Sequence, residues 1–285
     1  MNPTATFAGI SDKYAGYETS KTIIIPVPFE EDSNWIKGVA RGPEALLTAA
    51  QHMELYDIET DSEVYKEGIH LTDPVTLSSN TEMVEEVYAK VKKYIKRTKF
   101  VTILGGEPSV SIGAVKAANE CFDDLTVLHI GANANLQKEF EGSQYHRNCA
   151  MSEANRQMNL VQVGIRSMHK NETTLINADN VFFANEMATD DYWMDTIVDA
   201  LTDDVYLCFD LNGMDPSLLP AVTRPEPGGL FWYETLEFLH KVFQEKNVVG
   251  FDMTGLSPLA NDKSSDILAA RIFYKMLSYK FEKKE

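Results

Sequence analysis

Hydrophobic and polar positions follow two different patterns along the chain. Eight short segments rich in β-branched and aromatic residues are apolar almost throughout, which predicts strands that are buried on both faces. They cover 21–29, 68–71, 99–106, 125–132, 160–166, 180–186, 204–212 and 247–256, of which 68–71 is the weakest. Six intervening segments carry apolar residues at steps of three and four, which predicts amphipathic helices. They cover 42–53, 81–97, 109–122, 191–202, 233–246 and 264–281.

Alternation of buried strands with helices predicts an α/β fold, a three-layer α/β/α sandwich around a mostly parallel sheet. No repeat, low-complexity tract or linker-like segment divides the chain, so we expect a single domain over 1–285. In open parallel sheets, ligands bind beyond the carboxyl ends of the strands. Four loops follow predicted strands in this way and are the candidate site: 105–109, 131–136, 209–217 and 251–258.

Charge and cysteine content narrow the class of protein. The formal net charge of -17 would repel phosphate, so we expect neither a nucleic-acid partner nor binding to an anionic membrane. The three cysteines form no CxxC pair, which favours a reducing compartment. The first twenty residues lack the basic and apolar regions of a secretion signal, and no apolar run is long enough to span a bilayer. A cytoplasmic location is therefore expected.

The candidate loops resemble those of the ureohydrolases, the arginase and agmatinase family. "GGEPS" is similar to that family's Gly-Gly-Asp/Glu-His-Ser, and "GANAN" to its Asp-Ala-His-x-Asp. "CFDLNGMDPS" is similar to Ser-Phe-Asp-x-Asp-x-x-Asp-Pro-Ser, and "KGVARGPEALLTAA" to the N-terminal Gly-Pro-Glu segment. The resemblance runs almost end to end and favours agmatinases over arginases. It implies an arginase-like fold, in which two manganese ions share a hydroxide that attacks a guanidinium carbon and releases urea.

Most of the metal-ligand positions implied by this resemblance hold other residues. Asp210 is the one family ligand that is retained. The altered positions are Pro108 for a His, Gly131, Asn133 and Asn135 for Asp, His and Asp, and Asn212 for an Asp. Two neighbouring dications need several anionic ligands, which amides, glycine and proline do not supply. We therefore expect no cofactor, or at most one weakly bound ion at Asp210 with His146 or His129.

The positions that face the substrate in the family are altered too. Arg147 stands at the position of a substrate-facing His, with His146 one residue earlier, and Gly255 stands at that of a Glu that grips the guanidinium. Arg224 adds a positive charge at the mouth. Loss of acids and gain of arginines predicts a pocket for a small neutral or anionic ligand. The pocket candidates are Glu107, Asn133, Asn135, His146, Arg147, Asp210, Asn212 and Arg224.

Three hypotheses follow for function. The first is a catalytically inactive ureohydrolase-fold protein with a structural, regulatory or ligand-binding role. The second is an agmatinase with a rebuilt metal site that converts agmatine to putrescine and urea. The third is a sensor of a small anionic or neutral molecule. The resemblance also implies a homo-oligomer, a trimer or hexamer, or a hetero-oligomer with an active paralogue.

Overall fold

One parallel sheet forms the centre of the protein. The computed structural model describes residues 6–31 and 35–283, and within them the sheet has the strand order β2-β1-β3-β8-β7-β4-β5-β6. All neighbouring strands pair in parallel. The strands are β1 (Thr22–Val27), β2 (Ile69–Leu71), β3 (Phe100–Gly105), β4 (Thr126–Ile130), β5 (Asn159–Ile165), β6 (Val181–Phe183), β7 (Asp204–Asp210) and β8 (Asn247–Thr254). Each predicted strand is present, and the predicted fold class is confirmed.

Helices cover both faces of the sheet. Six of them correspond to the predicted helices, with ends that differ by at most three residues, and three short ones were not predicted. They are α1 (Asp12–Ala15), α2 (Gly42–Ala50), α3 (Asn80–Ile95), α4 (Val110–Asn119), α5 (Ser152–Gln157), α6 (Ala184–Met187), α7 (Trp193–Ala200), α8 (Trp232–Glu245) and α9 (Ser264–Phe281). The strand predicted over 180–186 is too long, because pairing with β5 ends at Phe183 and the next residues form α6.

The strands are apolar on both faces because each face contacts a different helical layer. In β1, Ile24 packs into the cluster formed by α2, α8 and α9, whereas Ile23 and Ile25 pack into the cluster formed by α3 and α4. All three isoleucines are fully buried. This two-sided burial is the physical reason for the apolar runs in the sequence.

The order of the central strands brings the four candidate loops together. β3, β8, β7 and β4 are consecutive neighbours in the sheet. Their ends are aligned, since Leu104 pairs with Met253, Asp210 with Thr254, and Ile130 with Phe209. The loops that follow these strands therefore share one edge of the sheet. Among the described helices, none has the length and apolar character required to cross a bilayer.

Candidate functional site

Asp210 lies at the centre of the candidate site, at the end of β7. Its side chain is only 3% exposed, and burial raises the pKa of its carboxyl above the ordinary value. Asn212 opposes this shift, because its backbone N–H and its Nδ2 donate to Asp210 Oδ1 at 3.0 and 2.6 Å. The retained carboxylate is thus bound to the loop that follows it.

Two glycines leave room for this arrangement on either side of Asp210. A Cβ at Gly255 would lie 2.5 Å from Asp210 Oδ1, and the residue has a φ of 93°, which L side chains rarely adopt. A Cβ at Gly131 would lie 2.7 Å from Nε2 of His129. A larger side chain at either position would therefore displace its neighbours.

His129 occupies the space beside Gly131 from within β4. The residue is fully buried, and desolvation lowers its pKa to about 4, so the ring is neutral at neutral pH. Its Nδ1 lies 2.9 Å from Gln162 Nε2, which also donates to the Ala134 carbonyl at 2.8 Å. Within the described residues, His129 Nε2 has no hydrogen-bond partner. This histidine packs the floor of the site.

A polar cavity of about 250 Å³ opens between the loops after β4 and β5, and Asp210 is not among the residues that line it. We call it the amide pocket, because carboxamides dominate its lining. Asn133 and Asn135 are only 8% and 4% exposed, both line the cavity, and neither side-chain amide has a hydrogen-bond partner among the residues the structure describes. The lining consists of Asn133, Asn135, Gln137, Asn148, Ser167, Met168, His169, Glu172 and Arg224.

The backbone of loop 131–137 is fixed by hydrogen bonds to the next loop. Glu172 is buried, and its two oxygens accept from the backbone N–H groups of Leu136 and His169, each at 2.6 Å. Asn135 adopts a φ of 54°, a conformation that asparagine tolerates better than most residues. Sequence reasoning missed Glu172, although its spacing of three residues from His169 matches the capping-box pattern found here.

Arg224 brings a positive charge to the same cavity. Its Nη2 donates to Asn148 Oδ1, and its backbone N–H donates to Asn212 Oδ1 at 2.8 Å. Burial, followed by the charge of Arg147, lowers the pKa of Arg224, but an arginine stays cationic in proteins. Arg147 contributes a buried Nε that bonds to no acceptor in the described part of the chain.

His146 and Glu107 lie toward the other side of the site. His146 Nε2 is 2.8 Å from Glu31 Oε2, and its ring stacks on Phe140 with centroids 4.3 Å apart. Glu107 Oε1 accepts from the Glu31 backbone N–H at 2.6 Å. His146 lines a neighbouring cavity of about 570 Å³ and not the amide pocket.

Pro108 belongs to the turn between β3 and α4, where its carbonyl accepts from the backbone N–H of residue 111.

Arg166 is a positioning residue that the sequence did not reveal. Its guanidinium, half-buried after β5, donates to backbone carbonyls of the long connection between β7 and α8. The acceptors include Asn212 at 2.9 Å, Met214 at 3.2 Å and Glu226 at 2.9 Å. These bonds hold the loop after β7, and with it Asn212, against the end of β5.

Comparisons with known proteins identify the relatives of this chain. The arginase family profile matches residues 20–278. The N(1)-aminopropylagmatine ureohydrolase of Synechocystis sp. is 33% identical over 281 residues, covering 94% of this chain and 92% of the relative. Among solved structures, agmatine ureohydrolase of Thermoplasma volcanium superimposes with a TM-score of 0.84 at 24% identity, covering 96% and 94% of the two chains. A Trypanosoma cruzi formiminoglutamase superimposes at 0.85 with 17% identity, covering 95% and 97%.

These comparisons correct one expectation from the sequence. The substitutions predicted that no cofactor would be needed, but membership of the arginase family overturns that prediction. Manganese is the cofactor that the match implies. The residues at the strand ends do not fit a manganese pair, however, because no group of three or more His, Cys, Asp or Glu in the described ranges could hold a metal ion. The family relationship and the local chemistry disagree at this site.

Proposed function

We propose that this chain, which belongs to the arginase family, binds a small neutral or anionic ligand in the amide pocket and does not hydrolyse linear amidines. The observation that carries the proposal is the amide pocket, onto which the carboxamides of Asn133 and Asn135 open without a hydrogen-bond partner among the described residues. Polar groups that line a cavity are completed by water or by a bound molecule. A binding role requires only the carboxamides that line the amide pocket.

The same groups disfavour a guanidinium substrate. Its cation would approach Arg224, and the residues at the strand ends offer carboxamides where a cation would need carboxylates. One oxygen of the Asp210 carboxylate, Oδ1, already accepts two hydrogen bonds from Asn212. Two buried thiols also provide no alternative nucleophile, since burial raises the pKa of Cys149 to about 11 and that of Cys208 well above its ordinary value.

Hydrolysis of a linear amidine is the second candidate, and similarity to enzymes favours it. The relative from Synechocystis, named an N(1)-aminopropylagmatine ureohydrolase, is aligned with nearly all of this chain. An active chain would release urea from agmatine or from aminopropylagmatine. It would need a ligand set for manganese different from the one that the resemblance places at 108, 131, 133, 135 and 212.

A urea-release assay separates the two candidates. The protein is purified and assayed with excess Mn²⁺ and either agmatine or aminopropylagmatine, beside the Synechocystis enzyme as a positive control. The binding proposal predicts no urea from this chain above the level without protein. Urea production that disappears in Asp210→Asn would establish the hydrolase instead.

The proposed role extends to assembly. An inactive subunit can act by completing or regulating an oligomer, and we propose a homo-oligomer or a mixed oligomer with an active paralogue. Light scattering on the purified chain measures the first arrangement. A strictly monomeric chain that also fails to associate with a co-expressed active paralogue would contradict both.

A further inference from the structure

The two unpartnered carboxamides limit the chemistry of the ligand. Asn133 and Asn135 lie two residues apart on the loop after β4, and both line the amide pocket. Each carboxamide offers one acceptor oxygen and two N–H donors. A ligand that enters the pocket displaces the water around these groups, so it loses affinity if it leaves either kind of group unmatched.

A carboxylate or a guanidinium can pair with only one kind of group on each carboxamide, either the N–H donors or the acceptor oxygen. A carboxylate accepts hydrogen bonds but donates none, so it would leave both asparagine oxygens unpaired. A guanidinium donates but does not accept, and it would also face the charge of Arg224. A ureido or carboxamide group donates and accepts hydrogen bonds in one plane. It can therefore pair with both the oxygen and the N–H groups of an asparagine carboxamide.

Arg224 favours a second, anionic group on the same molecule. Of its side-chain N–H groups, only those on Nη2 have an acceptor in the described ranges. Arg147 does not line the pocket. Glu172, the acid that lines the pocket, has both oxygens bonded to backbone N–H groups and therefore does not neutralise Arg224 by direct contact. A carboxylate pairs well with the free edge of a guanidinium.

We infer that the amide pocket binds a small carboxylate that also carries a ureido or carboxamide group. The inference rests on the proposed binding function and narrows its ligand class. The cavity of about 250 Å³ lies below the ~300–1,000 Å³ of pockets for drug-sized ligands, which fits a molecule of metabolite size. The carbonyl and N–H groups of the ligand face Asn133 and Asn135, and its carboxylate faces Arg224.

Two matched probes test this assignment by calorimetry on the full chain. Ureidoacetate and guanidinoacetate have the same shape and differ only in the exchange of a carbonyl oxygen for a cationic nitrogen. We expect ureidoacetate to bind at least about tenfold more tightly, since a lost hydrogen bond in a charged site costs about that much. Methylurea and acetate, which each carry one of the two groups, should bind more weakly than ureidoacetate.

Substitutions locate the binding and separate it from folding. Asn133→Asp exchanges donors for a negative charge and should reverse the preference in favour of guanidinoacetate, which a merely structural role would not do. Arg224→Gln should weaken ureidoacetate about tenfold or more, and the exposed control Asn261→Asp should leave both probes unchanged.

Equal or tighter binding of guanidinoacetate by the wild-type chain would overturn the inference, and so would no detectable ureidoacetate binding. Either result leaves the urea-release assay to decide the proposed function separately. A preference for ureidoacetate that is unchanged in both Asn133→Asp and Arg224→Gln would also overturn it, because the binding would then lie elsewhere.

Discussion

The carboxamide of Asn212 and the carboxylate of Asp210 are joined by a hydrogen bond of 2.6 Å, in which Nδ2 donates to Oδ1. The backbone N–H of Asn212 donates to the same oxygen at 3.0 Å. Since both residues are at least 97% buried, with exposures of 2% and 3%, this pair is isolated from water. The amide thus stabilises a buried carboxylate through neutral donors.

Restoring a carboxylate at 212 should therefore destabilise the fold. In Asn212→Asp, two acids would share the distance now spanned by the hydrogen bond, and the Asp210 charge would lose one donor. We expect the free energy of unfolding at neutral pH to fall by about 3 kcal/mol. Urea denaturation measures the loss, and Asn261→Asp, which adds the same charge on the surface, should change stability little. An Asn212→Asp protein as stable as this control would contradict the account of the pair.

Gly131 tests the packing on the other side of Asp210. A Cβ at this position would lie 2.7 Å from His129 Nε2, so Gly131→Ala should cost about 1–3 kcal/mol through overpacking. A smaller residue at 129 should relieve the clash. A double-mutant cycle with His129→Ala, followed by denaturant unfolding, should give a coupling energy that favours the double variant. Additive effects of the two substitutions would show that this contact does not limit residue 131.

Asp252 should make stability depend on pH. It is fully buried inside β8, where Ser111 Oγ donates to its Oδ1 at 2.7 Å, and burial raises its pKa to about 7. The folded state therefore binds the proton of the Asp252 carboxyl more tightly than the unfolded state does. Because the folded pKa is raised, the stabilising contribution is complete at low pH and decreases between about pH 4 and about pH 7, by about 1.4 kcal/mol per pH unit.

Asp252→Asn isolates that contribution. The carboxamide does not titrate, so the difference in stability between the variant and the wild type should shift in favour of the variant as the pH rises. Thermal unfolding across this pH range measures the difference. Asp203→Asn removes an exposed acid before β7 and serves as the control with the wild-type profile. Parallel profiles for Asp252→Asn and the wild type would contradict the assignment.

Glu172 should control the order of loop 131–137. In Glu172→Gln, one of the two backbone N–H groups that now donate to carboxylate oxygens would face an NH₂ group. The unsatisfied donor should cost about 1–3 kcal/mol. Hydrogen exchange at the amides of Leu136 and His169 should speed up, whereas exchange in β1 should not. Unchanged protection of Leu136 and His169 would show that the loop is held by other contacts. Glu186→Gln, an equivalent change at an exposed position in α6, serves as the control and should leave this exchange unchanged.

The sheet and the long helices could be predicted because their signals are local. Buried parallel strands are apolar at every position, and helices such as α8 repeat apolar residues at steps of three and four. Short elements lack this signal. The predicted strand ran on to residue 186, but 184–186 (Ala-Asn-Glu) begin α6, because β5 offers no further pairing partner there.

The convergence of the four loops after the strands was predictable, whereas the contacts among these loops were not. Strand order puts Gly131, Asp210 and Gly255 at one edge, as the positions of the loops after the strands suggested. The roles of Glu172 and Arg166 depend on backbone groups of other loops that come close only in the fold. His146 lies close to Asn148 in sequence, but its ring turns toward Glu31 and another cavity. The residues predicted to bind a ligand remain predictions.

The central claim is that this arginase-family chain binds a ligand without breaking a guanidinium carbon–nitrogen bond. A single-turnover experiment tests it most directly, with protein in excess over aminopropylagmatine labelled with ¹³C at the guanidinium carbon, in the presence of Mn²⁺. Carbon NMR then follows the label. The account predicts that the label remains in the guanidinium resonance throughout, while the Synechocystis relative moves it to urea. Stoichiometric transfer of the label to urea by this chain, abolished in Asp210→Asn, would contradict the account.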